Sequence, residues 1–240
     1  MKIGIYGGNG YLGSSVLKAL KQHNIEVMLL GRDQHPANLG LTHIIDASFP
    51  ANYKDKLITQ QYFERLEKRL EKSIGLNYIY LGSYSSVGVV RSIYGETKKN
   101  AEKMVQDRGA TVLRLGLVVD ENNPGGRFSQ LKEIIEKAPV NLKIPESWCP
   151  IKITRFSNFI QTTLILVNQR VVAKKEVEIK QTFQTNLNFF MVRSKPRKLT
   201  VFLPDPVLRI FFLLVSKIPL GLFDNLNSIG FRASGNLNRL

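Results

Sequence analysis

Tyr94 and Lys98 lie four positions apart at the start of a segment with helical spacing. Residues at this separation share a helix face, so the Lys98 ammonium can lie beside the Tyr94 phenol. A phenol with an ordinary pKa of about 10 is a weak base at neutral pH, but a nearby ammonium stabilises the phenolate and lowers that pKa. Such a pair can give or take the proton that accompanies hydride transfer at a carbinol carbon. The same spacing also occurs on ordinary solvated helices, so its interpretation depends on the rest of the chain.

A glycine-rich segment follows the first apolar run of the chain. Lys2–Tyr6 has the composition of a buried strand, and "GGNGYLG" then brings glycines at 7, 8, 10 and 13, before a segment with helical spacing. Glycines at these spacings permit a tight strand-to-helix turn, close approach of the backbone to a pyrophosphate, and close packing of the helix on the strand. The phosphates would lie against N–H groups at the positive end of the helix. The predicted cofactor-binding residues of this loop are Gly7, Gly10, Tyr11, Leu12 and Gly13.

The residues after the second apolar run bear on which dinucleotide binds. An acidic residue just past this strand holds the ribose hydroxyls of NAD, whereas an arginine there pairs with the 2′-phosphate of NADP. Gly31 stands where the acid is usually found, and Arg32 and Asp33 follow it. We therefore predict NADP as the cofactor, with Arg32 as its phosphate ligand, and NAD as the alternative. A solvent-exposed turn without a ligand is a competing interpretation, above all for Asp33.

Short apolar runs alternate with amphipathic segments over the first 138 residues. The amphipathic segments space their apolar residues by three or four positions, as helices do. This alternation is typical of a mostly parallel sheet covered by helices on both faces, and it predicts a doubly wound, Rossmann-type α/β fold. The predicted strands are Lys2–Tyr6, Glu26–Leu30, His43–Ser48, Asn77–Ser83 and Thr111–Val119, and the predicted helices are Tyr11–Gln22, Tyr53–Ile74, Tyr94–Asp107 and Arg127–Lys137.

Serine hydroxyls precede the Tyr–Lys pair in "YLGSYSSVG", and "YGETK" contains the pair. Together with "GGNGYLG" and "VLRLGLVV", these segments resemble the extended, sugar-nucleotide-modifying short-chain dehydrogenases/reductases, the NAD-dependent epimerase/dehydratase family, over roughly residues 1–170. The resemblance implies that Tyr94 is the catalytic acid or base and that Lys98 lowers its pKa and binds the nicotinamide ribose. It implies that Ser83 positions the substrate oxygen, with Ser85 as the alternative. A nucleotide-sugar substrate and a homodimer formed through two long helices are further implications.

The chain departs from that family at several positions. Only about a dozen residues separate the second predicted strand from "HIIDAS", so a strand and a helix that normally frame the adenine are missing. Asp46 is therefore expected in the strand that follows the missing unit, which makes Ala47 the small residue packed beside the cofactor. Leu117 stands where related enzymes often carry a substrate-binding asparagine. Tyr84 and Ser85 occupy the place of the Asp–Glu pair that a 4,6-dehydratase needs, which argues against dehydration.

Basic side chains are the remaining candidates for substrate contact. We predict that Arg127 and Arg155, together with Ser85, bind the substrate, and Lys132 and Lys152 are further candidates. Each of these cations also fits an ordinary solvated position on a helix or loop. The three histidines are scattered along the sequence, and no metal site is predicted.

The net charge of +15 indicates an anionic ligand. Residues 170–240 carry 12 basic and 4 acidic side chains, so the charge is densest there. Nucleotides and nucleotide sugars fit such a field. Nucleic acid does not, because "RSKPRK" at 193–198 is short and no reading element accompanies it. Two basic residues and a proline interrupt the apolar run at 207–223, which predicts a core helix and leaves open a weak peripheral association with membranes.

The cytoplasm is the expected compartment. The N-terminal residues lack the pattern of a signal peptide. The single cysteine, Cys149, has no partner within the chain for a disulfide, which fits a reducing environment.

Prolines break the pattern after about residue 139, which predicts two regions. Residues 1–138 would form the NAD(P)-binding domain with the catalytic residues, and residues 139–240 a small substrate-binding region packed on it. The leading hypothesis is an NADP(H)-dependent reductase of a keto group on a nucleotide-linked sugar, in surface-polysaccharide synthesis. A sugar-nucleotide 4-epimerase that retains NAD is the alternative. A catalytically silent nucleotide-binding protein is the third.

Overall fold

The computed structural model describes most of the N-terminal part of the chain and short stretches of the remainder. The stretches predicted as a basic cluster at 193–198 and as an apolar helix at 207–223 lie outside the described residues. The described residues are 1–87, 93–120, 122, 125–137, 141–143, 151–169, 176–179, 183–185 and 200–202.

Strands and helices alternate through the described N-terminal part, as the apolar pattern predicts. The strands are β1 (Lys2–Tyr6), β2 (Glu26–Leu30), β3 (His43–Asp46), β4 (Asn77–Ser83), β5 (Thr111–Leu115), β6 (Leu117–Val119), β7 (Asn141–Lys143), β8 (Ile151–Arg155), β9 (Glu176–Glu178), β10 (Phe183–Thr185) and β11 (Thr200–Phe202). The helices are α1 (Tyr11–Gln22), α2 (Lys56–Glu71), α3 (Ile93–Asp107), α4 (Gly126–Lys137) and α5 (Phe156–Asn168), and a 3-10 turn spans Tyr84–Ser86.

Six parallel strands form the central sheet in the order β2-β1-β3-β4-β5-β9. Helices α1 and α5 cover one face, where Val16, Leu20 and Phe159 are fully or almost fully buried against the strands. Helices α2 and α3 cover the other face with residues such as Leu66 and Val105. Burying an aliphatic or aromatic side chain of this size contributes about 1.5–3 kcal/mol, so the two layers hold the sheet from both sides. The predicted doubly wound, Rossmann-type fold is confirmed.

The sheet is shortened at the edge predicted from the sequence. Strand β1 pairs with β2 on one side and with β3 on the other, and β2 is the edge strand of the described sheet. The segment 31–42 therefore crosses from the edge back over β1 without a strand or helix of its own. As predicted, Asp46 belongs to the strand on the inner side of β1, where it pairs with Tyr6.

Some element boundaries differ from the predictions. Helix α2 begins at Lys56 and not at Tyr53, because Asp55 caps it by accepting hydrogen bonds from the N–H groups of Leu57 (2.9 Å) and Ile58 (3.1 Å). The predicted strand 111–119 divides at Gly116, where a Cβ atom would lie 2.3 Å from the Lys152 carbonyl oxygen. After this glycine the chain leaves the central sheet, and β6 pairs with β8 in a second, three-stranded sheet with β10.

Helix α5 was not predicted from the sequence. Its thirteen residues contain no charged side chain, so its exposed face carries only neutral polar residues such as Ser157 and Gln161 beside Ile165. Phe159, Leu166 and Val167 pack in the same core as α1, and β9 extends the central sheet beside β5. The described parts of 139–240 thus share the core of the N-terminal part, while the division at 138/139 stays a prediction. Among the described residues, no helix is long and apolar enough to cross a membrane.

Candidate active site

A cavity of about 250 Å³ opens at the carboxyl ends of the central strands. This edge of a parallel sheet is where α/β folds bind ligands. The first turn of α1 forms one wall, the end of β4 with its following turn forms another, and α3 and the start of α4 complete it. The predicted site residues that line the cavity are Gly10, Tyr11, Leu12, Gly13, Ala47, Ser83, Ser85, Tyr94, Lys98 and Arg127.

The glycine loop fits a dinucleotide phosphate. Gly7 has φ +72°, and a Cβ there would lie 2.7 Å from the Ala47 carbonyl carbon, so the loop touches the backbone after β3. A Cβ at Gly13 would lie 2.2 Å from the Gly7 carbonyl oxygen, which only glycine permits. Gly10 is the N-cap of α1 and has no side chain with which to cap it. The N–H groups of the first turn, which contains no acidic residue, can therefore bind an anion.

Tyr94 lies in the first turn of α3 and is 7% exposed. Its phenol is hydrogen-bonded to the Ser83 hydroxyl, and the Arg127 guanidinium carbon lies 3.8 Å from the centre of its ring. Burial raises the pKa of Tyr94, but the Arg127 and Lys98 charges and the Ser83 hydrogen bond outweigh burial, so the net shift is downward. A buried phenol with a lowered pKa is suited to exchanging a proton with a bound substrate.

Lys98 lies one turn further along α3, with its ammonium buried beneath Tyr94. Its Nζ donates to the Tyr80 hydroxyl (3.0 Å) and to the Leu81 carbonyl (2.9 Å), and the ring centre of Phe49 is 4.5 Å away. Burial lowers the pKa of Lys98, and the negative charges of ionised Tyr94 and Glu102 partly oppose this shift. Two of the three N–H groups are used by the protein, which leaves the ammonium fixed in place beside the phenol.

Aromatic rings exclude water from this pair. The Phe49 ring meets the Tyr94 ring edge-to-face at 5.0 Å, and the Tyr53 ring does so at 5.5 Å. Because water is excluded, the charges around Tyr94 act through a medium of low dielectric constant. Phe49 and Tyr80 were not predicted as site residues from the sequence. The alternation of Tyr78 and Tyr80 in β4, which places both rings on the α2/α3 face of the sheet, was the available signal for Tyr80.

Glu102 supports the serine-bearing turn and was also missed. Its carboxylate is 2% exposed and accepts hydrogen bonds from the Ser83 N–H (2.8 Å) and the Ser86 hydroxyl (2.8 Å). It also forms an ion pair with Arg114, with an Oε2–Nη2 distance of 2.7 Å. The carboxylate thereby fixes the backbone of the residue that hydrogen-bonds with Tyr94. Its position four residues after Lys98, on the same helix face, was the signal in the sequence.

Four cations were predicted as candidates for substrate contact. Two of them, Arg127 and Lys152, line the cavity, and the other two do not. Arg127 lies on the Tyr94 ring, and Lys152 Nζ lies 4.2 Å from the centre of the Tyr84 ring. Arg155 is exposed at the N-cap of α5 and does not line the cavity. Lys132 is exposed on α4 near Glu136.

Arg32 lies away from the catalytic cavity, in the turn after the edge strand β2. Its side chain is exposed, as is that of Asp33. The neighbouring strand β1 leads into the glycine loop, so both features lie at the same edge of the sheet. The structure thus places Arg32 outside the cavity that the first turn of α1 and the Tyr94–Lys98 pair line. Among the described residues, no cluster of side chains suited to a metal ion is present.

No protein-family model matches the chain, and no curated protein matches it in sequence. Solved structures match its fold. The NAD-dependent NDP-hexosamine 5,6-dehydratase TunA has 13% identity and a TM-score of 0.63, with 84% of this chain and 83% of that chain covered. A dTDP-4-dehydrorhamnose reductase from Clostridium acetobutylicum has 14% identity and a TM-score of 0.64, with 85% and 84% covered. The UDP-glucose 4-epimerase of Thermotoga maritima has 16% identity and a TM-score of 0.58, with 85% and 86% covered.

These matches confirm the predicted resemblance at the level of the fold. The chain has the Rossmann-type architecture found in sugar-nucleotide dehydratases, reductases and epimerases. Because a fold hosts many activities, the reaction has to be argued from the site.

Replacement of Arg127 by Met is expected to shift the pH dependence of catalysis. The cation stabilises the Tyr94 phenolate, so its loss raises the pKa of Tyr94. The keto reduction predicted from the sequence needs the protonated phenol and would fall as pH rises through this pKa, so the fall should move to higher pH in the variant. The pH profile of kcat measures this shift. Lys132→Met, which removes an exposed cation from the same helix, should leave the profile unchanged. A shift to lower pH in Arg127→Met would contradict the geometry.

Proposed function

We propose that the protein is an NADP(H)-dependent reductase of a keto group on a nucleotide-linked sugar, belonging to the extended short-chain dehydrogenase/reductase type. The observation that carries the proposal is the Ser83–Tyr94–Lys98 set, which shares one cavity with the N-terminus of α1. A phosphate site alone would indicate only nucleotide binding. A buried phenol of lowered pKa beside it adds the proton donor that reduction of a carbonyl needs.

The residues present fit a nicotinamide dinucleotide. Gly7 and Gly13 permit close packing of the loop, since a Cβ at either position would collide with backbone atoms, and Gly10 leaves the N-terminus of α1 open to a pyrophosphate. Ala47, half-buried at the cavity, leaves room beside it. Lys98 has one N–H group beyond its two protein hydrogen bonds and would bind a ribose hydroxyl. When bound, the reduced nicotinamide supplies the hydride.

Residues of the chain itself donate and accept the proton. The Ser83 hydroxyl orients the substrate carbonyl oxygen toward Tyr94, whose O–H donates its proton to that oxygen as the carbinol forms. The phenolate left on Tyr94 is stabilised by the positive charges of Arg127 and Lys98. Glu102 keeps the Ser83 backbone in place during this step. In the opposite direction the phenolate accepts the proton, which is the half-reaction that an epimerase would also use.

Arg127 and Lys152 support an anionic substrate. Both line the cavity together with Ser85. A diphosphate carries the charge that two such cations match. Arg155, predicted from the sequence as a further substrate ligand, is exposed outside the cavity. We therefore place Arg127 first among the proposed substrate-binding residues and Arg155 last.

Arg32 supports NADP as the cofactor, since an arginine after the second strand matches a 2′-phosphate. The neighbouring-fold dehydratase TunA is NAD-dependent, which supports NAD as the alternative. We further propose that the product serves surface-polysaccharide synthesis and that the reaction takes place in the cytoplasm, where nucleotide sugars are made. A homodimer and a weak association with membranes remain proposals drawn from the sequence.

Titration of NADPH and NADH into nucleotide-stripped protein tests the cofactor part of the proposal. Fluorescence of the reduced nicotinamide reports binding directly. Exchangeable binding with preference for NADPH supports the reductase. A nucleotide that cannot be stripped from the purified protein would favour the 4-epimerase, since that enzyme keeps its cofactor through both half-reactions. Binding without hydride transfer to any keto nucleotide sugar would favour a catalytically silent nucleotide-binding protein.

Substitution of Gly10 by Ala is expected to weaken NADPH binding without unfolding the protein. In the free protein the new Cβ would meet only the Gly7 carbonyl oxygen at 3.4 Å, an ordinary contact. With phosphate at the helix end, the methyl group would occupy the space the ligand needs, so the dissociation constant should rise about tenfold or more, equivalent to about 1.4 kcal/mol. Gln22→Ala, at the exposed far end of α1, should bind as the wild type does. Unchanged affinity in Gly10→Ala would place the phosphates elsewhere.

A further inference from the structure

The turn after β2, residues Gly31–Gln34 and here called the β2 turn, is held from the protein interior. Within the turn, the Gly31 N–H donates to the Gln34 side-chain oxygen (3.0 Å), and the Gln34 N–H donates to the Gly31 carbonyl (3.2 Å). From below, the Tyr6 hydroxyl donates to the Gln34 carbonyl (2.6 Å). Arg69 Nη2 donates to the Arg32 carbonyl (2.8 Å). The side chains of the turn are exposed, yet two core side chains fix its backbone.

Arg69 itself is fixed by a buried polar cluster. It is 4% exposed, and its Nη1 donates to Asp46 Oδ2 (3.3 Å) and to the Ser48 hydroxyl (2.8 Å). Asp46 is fully buried and also accepts a hydrogen bond from the Tyr78 hydroxyl (2.5 Å). The guanidinium carbon lies 4.0 Å from the centre of the Tyr6 ring. The direct contacts with Asp46, Ser48 and Tyr6 orient the guanidinium group, so the direction of Nη2 toward the β2 turn is determined by the core.

The burial of the Arg69–Asp46 ion pair has a cost in free energy, which points to a function beyond packing. A buried ion pair contributes little net stability compared with apolar residues of the same size. Among the described residues, Arg69 Nε has no hydrogen-bond partner although it is buried. The orientation of Arg69 therefore satisfies its two terminal nitrogens at the expense of the third. Nη1 reaches Asp46 and Ser48, and Nη2 reaches the β2 turn.

The fold explains why the β2 turn needs such an anchor. Strand β2 is the edge of the described sheet, and 31–42 crosses back to β3 without a strand or helix of its own. An exposed segment of this length pays a large entropic cost to keep one conformation. Arg69, on α2, links this segment to the end of β3 through Asp46. Arg69 thus links the β2 turn to helix α2 and to strand β3.

We propose that Arg69 is a positioning residue for cofactor discrimination: by holding the Arg32 carbonyl, it sets where the Arg32 and Asp33 side chains meet the adenosine ribose of the dinucleotide. The inference rests on the proposed function, because it requires a dinucleotide on the glycine loop. It does not require NADP to be preferred. Whichever cofactor the wild type prefers, the preference depends on the anchored turn.

The test measures the dissociation constants of NADPH and NADH for the wild type and for Arg69→Lys. Lysine keeps the positive charge near Asp46 but lacks the planar fork that reaches Asp46 and Arg32 together. The ratio of the two constants should move toward one by about fivefold, the effect of losing one hydrogen bond of ordinary strength. Tyr78→Phe is the matched control. It removes a hydrogen bond to Asp46 but leaves the contacts of the β2 turn intact, so the ratio should stay at the wild-type value.

A second variant keeps the test decisive if Arg69→Lys does not fold. Tyr6→Phe removes only the hydrogen bond to the Gln34 carbonyl and should move the ratio in the same direction. A wild-type ratio in both variants, an equal change in Tyr78→Phe, or equal affinities of the wild type for both cofactors would overturn the inference alone. Failure of the wild type to bind either nucleotide would overturn the proposed function, and this inference with it.

Discussion

Replacement of Tyr94 by Phe is expected to lower kcat for reduction of a keto nucleotide sugar by about 10²–10⁴-fold. The phenol is the one group in the cavity that combines a hydrogen bond to Ser83, contact with the Arg127 cation and a lowered pKa. Phenylalanine retains the ring that packs against Phe49 and removes only the hydroxyl group with its exchangeable proton. NADPH affinity should stay within about twofold of the wild type, because the phenol proton acts in the transition state and not in the binding of the cofactor.

Tyr53→Phe is the matched control for this prediction. The Tyr53 ring also lies against Tyr94, with its centre 5.5 Å away, but Tyr53 does not line the cavity. Turnover should therefore be close to that of the wild type. Full activity in Tyr94→Phe would remove Tyr94 from the chemistry. Equal losses in both variants would indicate that the aromatic packing, and not the phenol, supports turnover.

Replacement of Glu102 by Ala is expected to lower the free energy of unfolding by about 3–5 kcal/mol, the cost of removing one partner of a buried ion pair. The Arg114 side chain is 11% exposed and also pairs with Glu176, which places the effect near the lower end. The Ser83 N–H and the Ser86 hydroxyl would lose their acceptor as well. Urea unfolding with linear extrapolation measures the change.

Glu67→Ala is the matched control for Glu102. Glu67 pairs with Arg108 at 3.3 Å, but the two side chains are 54% and 42% exposed, so the variant should lose at most about 1 kcal/mol. Glu102→Ala should also lower turnover in the fraction that stays folded, because the turn carrying Ser83 is no longer fixed. A loss of stability as small as that of Glu67→Ala would contradict the buried network around the turn.

The fold was predictable because its signals are local. Apolar runs of strand length, amphipathic helices between them and a glycine loop after the first run together indicate a parallel sheet covered on both faces. Even the missing adenine-framing unit could be inferred, from the short distance between Leu30 and His43. Helix α5 was not predicted because it contains no charged residue, so its exposed face contrasts only weakly with its buried face. The break at Gly116 was not predicted because it depends on the approach of the Lys152 backbone from a distant part of the chain.

The candidate site, like the fold, was predictable where its signals are local in the sequence. Tyr94 and Lys98 could be paired from helical spacing, and the glycine loop from its position after β1. The rest of the environment that changes their pKa values could not be predicted, because Phe49 and Arg127 reach the pair through tertiary packing. Arg69 illustrates the limit most clearly. It reads as one more charge on a charged helix, yet the fold buries it between Asp46 and the β2 turn.

Transfer of deuterium from NADPH labelled at nicotinamide carbon 4 to a 4-keto nucleotide sugar would test whether this cavity carries out keto reduction. Nucleotide-stripped protein would be incubated with each stereospecifically labelled cofactor and the sugar, and the product examined by mass spectrometry and NMR. We expect one deuterium at the newly formed carbinol carbon from one of the two cofactors, and a rate of transfer lower by about 10²–10⁴-fold with Tyr94→Phe. Tight nucleotide binding with no deuterium transferred to any keto sugar would contradict this expectation, and would leave a nucleotide-binding protein without the reaction.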